Sequence, residues 1–265
     1  MKNQTEPNAA FLKASLNQAN GIRLLSHGCR AFQKIPGLKS LYIKGLLLTL
    51  LLAAFFFYLQ FTFIYEIFVI SRVESFVDTI NNWWSIFSYF TTPILWIFKI
   101  FLWVIMMTIA LKMAMICMSF WIDNIIEKVI GHFRDIPTTP FSTAHFIKNL
   151  VISIKLSVKD FSRIIFFVIL GFIPILGVLF AFFGIACSSG FVIISPYTLI
   201  LADKDKNFLK DFNIDKATTF KIGWVQALLT YIPLIGWFFM PIVILLQIIG
   251  WTHLIESRWQ KYQQL

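Results

Sequence analysis

The chain has 265 residues, of which 58% are hydrophobic and only 14% charged, with a mean hydropathy of +0.76. Soluble domains carry about 25% charged residues, so this composition excludes a soluble globular domain and points to an integral membrane protein. The net charge of +10 does not indicate nucleic acid: the basic residues flank apolar segments, where cytoplasmic anionic lipid accounts for them.

Residues 1–40 form the N-terminal part. Met1–Ala10 is polar, with Lys2 and Glu6, and no charged region leads into an early apolar core, so no cleavable signal peptide is expected. Ala9–Phe32 places Phe11, Leu12, Leu16, Ile22 and Leu24 at loosely helical spacing and predicts a helix lying along the inner membrane surface. The phrase Ile35-Pro36-Gly37-Leu38-Lys39-Ser40 follows. Proline at a first helical position leaves the next backbone N–H groups, those of Gly37, Leu38 and Lys39, without intrahelical partners, and such helix N-termini attract anions. Lys39 adds a cation and Ser40 a hydroxyl, so Gly37, Leu38, Lys39 and Ser40 make a candidate site for a tetrahedral oxyanion. The same residues also suit a plain helix start with Lys39 facing lipid phosphates.

Residues 41–122 predict two long spanning helices. Leu41–Ile70 is interrupted only by Lys44, Gln60 and Glu66, and its thirty residues would make about 45 Å of helix. Ser71–Thr92 is polar, and a second span runs from Pro93 to Ile122, carrying Lys99 and Lys112. Charges inside spans are costly and often functional, so Lys112 and Glu66 are candidates for an anion pathway, with snorkelling toward the surfaces as the alternative. Residues 123–163 follow as a cytoplasmic amphipathic segment, in which Asp123 and Glu127 fit a solvated helix better than a paired-carboxylate site.

Two apolar runs complete the chain, at 164–201 and 223–255, separated by a basic loop at 202–222 and followed by a tail at 256–265. Each contains the same kind of phrase: Phe172-Ile173-Pro174-Ile175-Leu176-Gly177 and Tyr231-Ile232-Pro233-Leu234-Ile235-Gly236. Each phrase follows nine largely apolar residues, about 14 Å of helix or half a hydrocarbon core. Proline breaks the helix there and glycine lets the chain reverse, so Pro174, Gly177, Pro233 and Gly236 mark the turns of two re-entrant hairpins. Basic residues number seven in Met1–Lys44, six in Asp123–Arg163 and five in Ala202–Ile222, against one, Arg72, in Ser71–Thr92. By the positive-inside rule only Ser71–Thr92 is external, both termini are cytoplasmic, and each run leaves the membrane where it entered. Gly184–Gly190 is a small-residue face suited to close helix packing.

No nucleophile–base, zinc-protease, phosphate-loop or dinucleotide motif occurs, so no enzyme is expected. The three cysteines and four histidines are scattered, which argues against a metal site or a disulfide framework, and no cofactor is expected.

Phe220-Lys221-Ile222-Gly223 with Ala227–Pro241 resembles the C-terminal signature of the CysZ sulfate transporters, which belong with the etoposide-induced protein 2.4-like membrane proteins. Phe172–Gly177 is similar to that family's earlier Phe-Ile-Pro-x-x-Gly element. Ser26-His27-Gly28 with Pro36–Lys39 resembles its N-terminal Gly…Pro-Gly-Leu-Arg region, and Trp121–Glu127 its segment after the second long helix. The resemblance implies a single all-α membrane domain of two long transmembrane helices, two hemi-penetrating hairpins and an N-terminal interfacial helix. It also implies a homo-oligomer in the bacterial inner membrane that takes up sulfate for cysteine synthesis. The family's sulfate site corresponds to Gly37, Leu38, Lys39 and Ser40. Lys39 stands where the family has arginine, and Ser40 where a second cation is often found, so another small oxyanion or a non-transporting scaffold role stays open.

Overall fold

The computed structural model describes residues 17–63, 75, 78–79, 106–107, 109–111, 113–134, 147, 151, 154, 158, 176–204, 214–230, 232 and 235–263. Nearly all of them are helical and no strand occurs among them. Three helical stretches are long and apolar enough to cross a membrane: Leu38–Phe63, Phe182–Leu201 and Phe238–Lys261. The chain forms two compact units, residues 47–115 and the remainder.

In the larger unit, α1 (Gly21–Lys34) starts where Asn20 accepts a hydrogen bond from the Ile22 N–H at 3.2 Å. Its buried residues, Gly21, Leu24, Gly28 and Ala31, recur at three to four residue intervals and form one stripe. Ile35 ends it in an extended conformation (φ −106°, ψ 108°), as a residue preceding proline must. Next comes α2 (Leu38–Gln60), and later α3 (Ser119–Phe133). On α3, Ile125, Ile126, Val129 and Ile130 are buried, whereas Asp123 and Glu127 are half-exposed and engaged by partners. The expected solvated helix is therefore one with a fully packed apolar face.

The C-terminal part is α4 (Leu176–Lys204), α5 (Lys216–Thr230) and α6 (Ile235–Gln263). Asp215 caps α5 by accepting the Thr218 N–H at 2.8 Å. Helices α4 and α5 run antiparallel, pairing Gly190 with Thr219 and Ala186 with Gly223. A Cβ at Gly190 would lie 1.9 Å from the Thr219 carbonyl oxygen, and one at Gly223 2.0 Å from that of Ala186, so only glycine allows this crossing. The small-residue face at Gly184–Gly190 thus packs as expected, with Gly184, Ala186, Ser188 and Gly190 all buried. Helices α1 and α6 form a second antiparallel seam, in which a Cβ at Gly250 would meet the Leu24 carbonyl at 1.8 Å and one at Gly28 that of Leu246 at 2.4 Å. Buried amides join these elements: Gln226 donates to Gln247, which donates to the Gly21 carbonyl at 3.0 Å. Fully buried Glu256 on α6 accepts from Arg134, which follows α3, at 2.6 Å and from Tyr197 on α4 at 2.8 Å. Charge-assisted bonds of this kind offset the cost of holding a carboxylate away from water.

In the smaller unit, α2 exposes Leu47, Leu51, Phe55 and Tyr58 at near-helical spacing, an apolar face suited to lipid. Buried Gln60 donates to the sulfur of Met113 at 4.0 Å.

Both Pro-x-x-Gly phrases lead into a 29-residue helix, α4 or α6, whose second residue is the glycine. In the second run the expected pair of shallow limbs is unequal: α5 holds 15 residues, about 22 Å, while α6, like α4 in the first run, extends for about 43 Å. The helices outlast the apolar runs because their hydrogen bonding continues through Asp203 and Lys204, and through Glu256 to Gln263. Gly236 is helical and has no positive φ. Its need is space, since a Cβ there would meet the Leu229 carbonyl at 1.7 Å where α6 leaves α5. Pro174 and Pro233 lie outside the described residues, as does the Ile164–Phe172 limb.

Candidate anion-binding site

Between α1 and α2 the chain turns within three residues. The Leu38 N–H donates to the Ile35 carbonyl at 3.3 Å, with Pro36 at the second turn position and Gly37 at the third, where φ is +73°. Fixed φ at proline followed by positive φ at glycine is the arrangement of a type II turn. Pro36 therefore precedes helix α2 instead of opening it, a correction to the sequence expectation. Its cause is that the steric demand of proline on Ile35 terminates α1 and the chain needs a reversal before α2 can begin.

The four expected site residues divide accordingly. Leu38 is fully buried and its N–H serves the turn, so it anchors the loop and offers the least to a ligand. The Gly37 carbonyl accepts from Leu41 at 3.2 Å. The N–H groups of Lys39 and Ser40, in the first turn of α2, have no protein partner among the described residues. Gly37, Lys39 and Ser40 are all exposed. Oriented N–H groups at the positive end of an apolar helix, with a lysine and a hydroxyl beside them, are an arrangement that favours an anion.

A further cation arrives from a distant part of the chain. The ammonium of Lys128 on α3 lies 2.8 Å from the point a Cβ on Gly37 would occupy. Any side chain at position 37 would displace that ammonium and also be strained at φ +73°. The turn thus gathers Lys39, Ser40 and Lys128. Lys128 is not identifiable from the sequence as part of this site, because it stands some ninety positions away in a segment whose charges suit an ordinary solvated helix. Of the other expected positions, Lys112, Glu66, Pro174 and Pro233 lie outside the described residues, and Gly177 and Gly236 are helix-initiating positions away from the turn. No group of three or more His, Cys, Asp or Glu residues able to hold a metal occurs among the described residues.

No curated protein and no solved structure matches the chain. Residues 24–241, which include the turn and both Pro-x-x-Gly phrases, match one family, so the chain belongs to the sulfate transporter CysZ/etoposide-induced protein 2.4 family.

Proposed function

We propose that this chain is a multi-pass inner-membrane permease that takes up sulfate, or a related small oxyanion, to supply cysteine biosynthesis. Family membership supports the reading, and the observation that carries it is the convergence of Lys39, Ser40 and Lys128 on the Pro36–Gly37 turn. The turn captures the anion at the cytoplasmic end of the first long helix. Two hemi-penetrating hairpins shape its path within a homo-oligomer whose protomers keep both termini in the cytoplasm. The reading assigns no enzymatic step and no cofactor. A lysine at position 39 lacks the flat fork of donors with which arginine grips an oxyanion, and this favours modest affinity and broad selectivity among small oxyanions.

Uptake of radiolabelled sulfate into proteoliposomes tests the proposal. Replacing both Lys39 and Ser40 by alanine removes a charge-assisted hydrogen bond of about 1.5–3 kcal/mol, so uptake at low sulfate should fall at least about tenfold. Lys128→Ala should weaken it by less. Wild-type uptake by the double variant overturns the site, and absence of uptake of any small oxyanion by the unaltered protein favours a non-transporting scaffold.

A further inference from the structure

A second basic site lies along α1, beside its seam with α6. A cavity of about 290 Å³ is lined by Gln18, Arg23, Ser26, His27, Arg30 and Leu254. Arg23, Ser26, His27 and Arg30 follow one another at intervals of three, one and three residues, so α1 presents all four on one face, beside its buried stripe. Arg258 of α6 reaches the rim and donates to the Gln18 side-chain oxygen. No carboxylate lines the cavity, and neither Arg23 nor Arg30 has a carboxylate partner among the described residues. Burial, and then the charges of Arg30, Arg258, Arg23 and Lys34, push the His27 imidazole below its usual range, which keeps it neutral at neutral pH.

Hydrogen-bond accounting also assigns the proton on that imidazole. His27 and His253 face each other through their Nδ1 atoms at 3.3 Å, and the Nε2 of buried His253 has no partner. An orphaned buried N–H is rarer than an orphaned acceptor, so His253 carries its proton on Nδ1 and donates it to His27. His27 then holds its own proton on Nε2, a donor available to the cavity. Two guanidinium groups, a hydroxyl and an imidazole N–H are a donor set without a matching acceptor, and their arginine forks suit tetrahedral oxyanions.

We propose that this cavity binds a phosphate-type oxyanion, either as the free ion or as the headgroup of an anionic phospholipid. The volume lies at the small end of ligand cavities and accommodates a phosphate with an ester substituent. The site shares no residue with the Pro36–Ser40 turn, and it stands whether or not the chain transports sulfate.

The detergent-purified full chain is titrated calorimetrically with inorganic phosphate. In parallel, native mass spectrometry compares retention of added phosphatidylglycerol with phosphatidylcholine. Phosphate binding that weakens at least about tenfold in Arg23→Gln/Arg30→Gln identifies the free ion. Selective phosphatidylglycerol retention that the same variant loses identifies the headgroup. Arg23→Lys/Arg30→Lys should recover part of the binding. Lys39→Ala/Ser40→Ala should leave unchanged the phosphatidylglycerol retention and the share of phosphate binding that the Arg23/Arg30 variant loses, which separates this site from the transport reading. Should the glutamine variant not elute as a folded species, Ser26→Ala/His27→Gln takes its place with a smaller expected loss. The proposal is overturned if the unaltered chain retains neither ligand, or if a folded cavity variant binds as well as the unaltered chain does.

Discussion

Glycines in this chain divide by what a methyl group would meet. Gly37 is needed for its left-handed backbone and for the Lys128 ammonium beside it, whereas Gly190 and Gly223 are needed because helices α4 and α5 touch backbone to backbone. Gly131 on α3 is exposed, with nothing within 4 Å of its Cβ position. Opposite outcomes follow for one substitution. Gly223→Ala forces a carbonyl contact of 2.0 Å to open and should destabilise the protein by about 3 kcal/mol, the upper end of overpacking costs. Gly131→Ala should stabilise by up to about 1 kcal/mol, through helix propensity alone. Melting curves of the two variants in detergent, followed by tryptophan fluorescence, compare them directly. The sequence contains the small-residue face at Gly184–Gly190, but its partner on α5 is hidden there, because Thr219 and Gly223 are embedded in a segment that identifies a family before it identifies a contact. The turn at Pro36–Ser40 is legible in the same partial way: Lys39 and Ser40 are local to it, and Lys128 is placed there only by folding.

At the scale of elements, the starts of α2, α4 and α6 are legible while those of α3 and α5, and the helix ends, are not. Proline stands just ahead of those three helices, at Pro36, Pro174 and Pro233, and Ser119 and Lys216 have no such mark. Inside α4, Pro196 offers no N–H to the Val192 carbonyl, and the Ser195 hydroxyl donates to that carbonyl instead at 3.3 Å. The helix therefore continues past a residue that sequence rules treat as a stop. The α1–α6 seam carries a pH dependence. His27 faces Arg23, Arg30 and Lys34 from its own helix and His253 and Arg258 from α6, and its folded-state pKa is lowered from 6.5, first by burial and then by those cations. Above pH about 6.5 the imidazole is neutral whether the chain is folded or unfolded, so it costs nothing. As the pH falls below that value the unfolded chain takes up the proton first, and stability is lost until the pH lies below the folded-state value. The melting temperature should thus decline from pH 7.5 toward pH 5, and His27→Gln, which cannot titrate, should flatten that decline. An equal slope in the variant would assign the effect to another group.

For the whole molecule, charge and length bear differently on how many times the last hundred residues cross the bilayer. Charge places basic residues on both sides of 164–201 and again of 223–255, which by the positive-inside rule returns each run to the face it entered from. Length allows more, since Phe182–Leu201 and Phe238–Lys261 are each able to cross. A helix of about 43 Å can cross nearly upright or lie tilted and shallow, so length alone does not select between them. The α4–α5 and α1–α6 seams bury much of what a lone spanning helix would show to lipid: two thirds of the Phe238–Lys261 window is buried inside the protein, against 17% for Leu38–Phe63. A segment wrapped by its own chain tolerates a break at membrane depth, because its backbone groups face protein instead of hydrocarbon. Single cysteines introduced into a background with Cys29, Cys117 and Cys187 replaced by serine decide the matter, using a membrane-impermeant maleimide on spheroplasts. The hairpin arrangement predicts that Ser85→Cys is labelled from outside, while Leu234→Cys, beside the second turn, and Asn207→Cys, in the basic loop, are not. Both should react with a permeant reagent once the membrane is opened. Labelling of Leu234→Cys from outside would mean that α5 and α6 each cross the full bilayer, and the second Pro-x-x-Gly phrase would then be an external loop instead of a turn within the membrane.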